Sequence, residues 1–184
     1  MAQSAAPARR RHDCIEVLFS MSEPNDWAPS ASAFDRLRIL TTYKTIAMVG
    51  LSADPMRPSH FAAIYMRANG YDVIPVNPKY AGETILGQPV YSSLEEIPRP
   101  VEIVDVFRKP QDIAPVAEGA IAIGAKVLWL QLGIRNEEAA ALARAAGLDV
   151  VQDRCVKIEH ARFFGGLNLV GMNTGVISSR RRIA

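Results

Sequence analysis

The chain has 184 residues, of which 49% are hydrophobic and 22% charged, with a net charge of +2. That is the size and composition of one globular domain, and the net charge is too small to suggest a nucleic-acid or membrane-surface binder. No apolar stretch approaches the roughly 18 residues of a membrane span, and two cysteines, Cys14 and Cys155, cannot build a disulfide framework, which points to a reducing cytoplasm.

Residues 1–30 read as a disordered leader. Three arginines at 9–11 sit among Ala, Ser and Pro without an amphipathic period, and the apolar piece at 14–19 is short and carries Glu16. Asp13 and Glu16 argue against an organelle-targeting peptide, and Met21 offers an alternative start. The predicted domain spans 31–178, followed by a solvated basic tail over 179–184.

Within that domain a helix is predicted over 32–43, with Phe34, Leu37, Ile39 and Leu40 as its apolar face. A strand over 45–49 ends at Gly50 and opens into a polar loop over 51–58. A helix over 59–69 follows, capped by Ser59 and stopped by Gly70. The strand over 72–76 ends at Asn77, Pro78 and Lys79. Next come a loop with Gly82 and Gly87, a short strand at Val90, and one helical turn over 94–97 capped by Ser92 or Ser93. Strand 102–107, helix 111–124, strand 127–130, helix 137–146 capped by Asn136, and strand 149–151 complete the alternation. Nearly all-apolar strands separated by helices define an α/β fold with a mostly parallel sheet covered on both faces.

The first strand–loop–helix–strand unit places a loop and a helix N-terminus at the carboxyl edge of the sheet, where phosphate groups bind. Gly50 lets the backbone approach a ligand, and Ser52 offers a hydroxyl and an N–H. Arg57, two residues before the expected helix, carries a rigid fork suited to a diphosphate, and Ser59 stands at the positive end of the helix dipole. The plain alternative is a turn at Gly50 and a surface charge at Arg57, and spacing alone leaves the two readings balanced. A dinucleotide fingerprint would need glycines at 52 and 55, which are Ser52 and Pro55. The acidic residue for a ribose diol is also missing, and Lys79 in that region suits a ribose phosphate better. Both departures disfavour NAD.

Several segments together resemble the small bacterial CoA-binding proteins, whose domain is similar to the CoA-binding domain of the succinyl-CoA synthetase α-subunit. They are Val49-Gly50-Leu51-Ser52, Arg57-Pro58-Ser59, the run from Gly70 to Pro78, and Gly87-Gln88-Pro89-Val90-Tyr91. Further on come Val104-Asp105-Val106-Phe107-Arg108, the run from Trp129 to Gly133, and the run from Arg154 to His160. The resemblance covers roughly residues 33–180, with Val156 standing where the family often has Pro. It implies a single Rossmann-like domain, a three-layer α/β/α sandwich, that binds coenzyme A or an acyl-CoA. It further implies contacts from Gly50, Leu51, Ser52, Arg57, Pro58 and Ser59 in the first loop, and from Asn77, Pro78 and Lys79 after the second strand. Lys79 becomes the partner of the ribose 3′-phosphate, against the alternative of a surface lysine. Phe107 becomes an adenine-side wall and Arg108 a stacking or phosphate-binding group, although an ordinary buried strand end has the same pattern. Gln131 is placed near the pantetheine arm, or else bonds its own turn, and Gly133 allows a tight turn over the ligand.

Catalytic parts are missing from this reading. His12, His60 and His160 have no metal-ligand spacing, no G-x-S-x-G elbow occurs, and Glu159 with His160 reads as a surface pair. Cys155 is expected near the ligand's thiol arm, with Arg154 and Lys157 lowering its pKa; the alternative is a small buried hydrophobe. The expected role is therefore carriage, sensing or protection of CoA, leaning away from catalysis. An NADP(H)-dependent oxidoreductase using Arg57 and Lys79, and a regulatory module whose nucleotide controls partner binding, stay open. So does a protein partner or homo-oligomer.

Overall fold

The structure is a computed structural model that describes residues 31–165; the leader, Cys14, Met21, residues 166–178 and the basic tail lie outside the described residues. Helix α1, Ala33–Thr42, begins at a reciprocal cap. The Ser32 hydroxyl accepts from the Asp35 N–H at 3.2 Å, and the Asp35 carboxylate accepts from the Ser32 N–H at 2.9 Å. Its buried face is Arg36, Ile39 and Leu40, spaced three and four apart. Phe34 is not part of that face: it is 84% exposed, and Arg36 holds the position expected of an apolar residue.

Five strands form one parallel sheet: β1 Thr45–Val49, β2 Asp72–Val76, β5 Ile103–Val106, β6 Val127–Leu130 and β7 Asp149–Val151. Their order is β2-β1-β5-β6-β7. The chain leaves β1 through α2, Pro58–Ala68, to reach β2, then returns to the opposite side of β1 as β5. Right-handed crossovers running in opposite directions place their helices on opposite faces. The crevice at the ends of β1 and β5 is accordingly the topological switch point, where ligands of open α/β sheets bind.

Alternate strand residues feed two cores. Ala47, Val49, Val104 and Leu128 pack against α3, Ile113–Ala122, and α4, Glu137–Ala145. Ile46, Met48, Ile103 and Trp129 pack against α1, α2 and α5, Val156–Phe164. The result is the expected Rossmann-like sandwich of helix, sheet and helix layers.

Several local expectations change. The segment before Val90 is a two-stranded antiparallel ribbon, β3 Thr84–Ile85 with β4 Gln88–Pro89, and Tyr91 then pairs with Val76 at the sheet edge. The chain at 94–97 is a single turn closed by the Ile97 N–H and the Leu94 carbonyl, with Ser92 bonded to the Glu96 carboxylate. Helix α3 is preceded by a 3₁₀ turn, Pro110–Asp112, while α4 is capped by Asn136 as expected. Glu159 and His160 are not a surface pair. Glu159 is buried in α5 and bridges Arg36 of α1 at 2.8 Å and Arg162 at 2.6 Å. Removing Glu159 would strand the buried Arg36 charge, at a cost of about 3–5 kcal/mol. His160 is buried among Tyr65, Tyr71 and Phe164, with its Nδ1 3.1 Å from the Tyr65 hydroxyl.

Candidate functional site

The site begins where β1 runs out. Gly50 has φ +88°, which favours glycine, and its N–H donates to the Val76 carbonyl at 2.8 Å. The following loop is folded on itself by its short polar side chains. The Ser52 hydroxyl accepts from the Asp54 N–H at 3.1 Å, and the Asp54 carboxylate accepts from the Met56 N–H at 2.9 Å. The Ser52 carbonyl meets His60 Nδ1 at 2.8 Å, so a buried histidine fixes the loop from beneath.

Ser59 does not cap α2. Pro58 opens the helix, as its fixed φ favours, and Arg57 holds the cap position without a side-chain cap bond. Ser59 is buried in the first turn, where its hydroxyl accepts from the Ser52 N–H at 3.2 Å and ties loop to helix. Arg57 adjoins the helix rather than standing two residues before it, and its side chain lies in solvent beside Asp54 at 3.5 Å.

Asn77 connects three segments at the end of β2. Its Nδ2 donates to the Leu51 carbonyl at 2.8 Å, while its Oδ1 accepts from the Lys79 N–H at 3.2 Å and from Arg108 at 3.4 Å. Lys79 extends over the Tyr80 ring, 5.0 Å from its centre. A bond with Ser52, then the neighbouring lysine, holds the Tyr80 hydroxyl below the usual phenol range.

These groups enclose a polar cleft of about 570 Å³. Nine residues named from the sequence line it: Gly50, Ser52, Arg57, Pro58, Ser59, Asn77, Lys79, Phe107 and Arg108. Asp54 and Tyr80 line it as well and were missed, although Tyr80 shares a 3₁₀ turn with Pro78 and Lys79. Leu51 is fully buried, and its contribution at the cleft is the carbonyl bonded by Asn77.

A second cavity of about 700 Å³ shares Pro58, Phe107 and Arg108 with the cleft. Met56, Phe61, Leu132, Ile134 and Ile158 make it mainly apolar, and Gln131 and Cys155 lie in its wall. A smaller slot of about 280 Å³ opens on the other face of the sheet edge, between Val49, Val76, Pro78, Leu94, Val116 and Arg108. Arg108 borders all three spaces.

Gln131 is buried, and its Nε2 donates to Asp105 Oδ1 at 2.6 Å, so one of its two amide hydrogens is committed to the interior. Gly133 lines none of these three spaces; it turns with φ +80° and its N–H donates to Asp153 at 2.6 Å. The expected lowering of the Cys155 thiol pKa is overturned. Burial pushes it up more than the N–H groups of Ile158 and Lys157 pull it down, and nearby Asp105 raises it further. Burial also pushes the Asp105 carboxyl up to about 7.

Fold and cleft together define a Rossmann-like domain with a cation-lined crevice at its switch point. The chain belongs to the CoA binding domain family, which it matches over residues 44–161. It is 43% identical over 123 residues to the uncharacterized protein YneT of Bacillus subtilis (strain 168), covering 67% of this chain and 90% of that one. Among solved structures, a hypothetical protein from Pyrococcus horikoshii OT3 is 45% identical with a TM-score of 0.69, covering 72% of this chain and 92% of that one. A Thermus thermophilus protein solved as cell-free ID.343 is 39% identical with a TM-score of 0.70, covering 73% of this chain and all of that one.

Proposed function

We propose that this domain binds coenzyme A or an acyl-CoA in the cytoplasm, as a carrier, sensor or protector of the cofactor. The observation that carries the reading is the junction of two unlike spaces. A cleft with Arg57, Lys79 and Arg108 opens past Pro58 and Phe107 into an apolar cavity. CoA has that same polarity, a phosphorylated nucleotide joined to a long, weakly polar arm ending in a thiol. NADP(H) carries a second nucleotide instead, which gains little from an apolar cavity.

The fit can be argued group by group. Arg57 and the α2 N-terminus receive the diphosphate, and Gly50 leaves the backbone open to it. Lys79 and Tyr80 receive the ribose 3′-phosphate. The apolar slot between Val49, Val76, Pro78 and Val116 suits the adenine better than Phe107 does, because Phe107 stands at the passage to the arm's cavity. Ile134, Ile158 and Leu132 enclose the arm, and the Gln131 carbonyl oxygen remains as its polar contact. Gly133 supports the turn from outside the cavity.

Calorimetry on the full chain tests this reading. CoA binds more tightly than dephospho-CoA, because the latter loses a charge-assisted phosphate contact, and more tightly than NADPH. Equal affinity for CoA and dephospho-CoA removes the role of Lys79, and tighter binding of NADPH overturns the CoA reading.

A further inference from the structure

Cys155 lies at the cap of α5, in the wall of the apolar cavity, beside Gln131. Gln131 in turn bonds a carboxyl that is only partly satisfied. Asp105, in the middle of β5, is fully buried; one oxygen accepts from Gln131, and the other, Oδ2, has no hydrogen-bond partner among the described residues. Leaving a buried polar atom unpaired costs about 1–3 kcal/mol. Gln131 and Cys155 share the cavity wall, and Gln131 joins that wall to the buried Asp105 behind it.

We propose that Cys155 is a thiol-exchange site for the disulfide form of the ligand, coenzyme A disulfide. This rests on the CoA reading above. The Cys155 sulfur attacks one sulfur of the bound disulfide and forms a protein–CoA mixed disulfide. The CoA–CoA disulfide bond breaks, and the departing CoA thiolate takes up the proton that Cys155 gives up. One disulfide is consumed and one is formed, so no further oxidant is required.

The environment of the thiol makes this exchange selective. Half-buried and near a buried carboxyl, Cys155 stays protonated and meets dissolved disulfides poorly. A disulfide held by the cleft and cavity is presented at high effective concentration, and a thiol of raised pKa is the stronger nucleophile once ionised.

The chain has two cysteines, so Cys14→Ser leaves Cys155 as its only thiol. That variant is treated with coenzyme A disulfide or with glutathione disulfide and followed by intact mass. One CoA adduct per chain is expected, removable by dithiothreitol, at a rate that saturates with CoA disulfide. The rate exceeds that of glutathione disulfide by roughly tenfold or more, and Cys155→Ser forms no saturable adduct. A missing adduct, a rate that rises without limit, or equal rates with both disulfides overturns the proposal. Calorimetry of reduced CoA on the same protein separates the two readings: binding without an adduct removes the exchange alone, and no binding removes both.

Discussion

Gly50 and Phe107 approach so closely that a Cβ on Gly50 would lie 2.5 Å from the Phe107 carbonyl oxygen. The two residues end adjacent strands, and the Phe107 N–H donates to the Val49 carbonyl at 2.8 Å. Neither backbone can retreat without breaking the last rung between β1 and β5. The cleft floor therefore requires a missing side chain, independently of any ligand.

Gly50→Ala is expected to destabilise the fold by about 1–3 kcal/mol from the positive φ alone, with the clash adding to it. Thermal or urea denaturation measures the loss. A variant of wild-type stability would mean that the β1–β5 rung is looser than its hydrogen bond indicates.

Arg57 differs in kind, because its side chain is 69% exposed and among the described residues it pairs only with the exposed Asp54. Such a pair contributes little to stability. Arg57→Ala should leave the melting temperature unchanged and weaken CoA binding by roughly 1.5–3 kcal/mol, the range for hydrogen bonds to charged groups. Calorimetry decides; wild-type affinity would return Arg57 to the ordinary surface charges.

The alternation of strands and helices was legible because the strands are nearly pure apolar runs, and a switch-point rule then selects their carboxyl ends. Hence the residues named from the sequence at Gly50, Asn77 and Phe107 meet at one crevice. What stayed hidden depends on partners far away in the chain. Glu159 and His160 look like a solvated pair until Arg36, 123 residues before Glu159, arrives to neutralise the carboxylate. The charged neighbours of Cys155 point to a lowered thiol pKa, whereas burial decides it. At Ser59 the neighbouring residue decides: Pro58 is favoured at the first helical position and moves the cap to Arg57. Asp105 stands in a run that reads as a buried strand, and its bond to Gln131 emerges only where β5 and β6 pair.

Asp105 makes the stability of this domain depend on pH in a direction opposite to that of most carboxylates. Its folded pKa, about 7, lies above the ordinary 3.8 because burial disfavours the charged form. Between those values the native state holds a proton that the unfolded chain has lost, so stability falls as pH rises through this window. The contribution is fully present below the unfolded pKa and gone above the folded one, with an upper limit of about 4 kcal/mol. Asp105→Asn keeps the shape and an acceptor for the Gln131 amide but cannot ionise. Urea denaturation of both proteins at about pH 5 and about pH 8 should show the variant gaining on the wild type by a few kcal/mol at the higher pH. Other carboxylates cancel in that difference. A stability difference that does not change with pH would mean that Asp105 titrates alike in the folded and unfolded chains, and that its unpaired oxygen meets solvent after all.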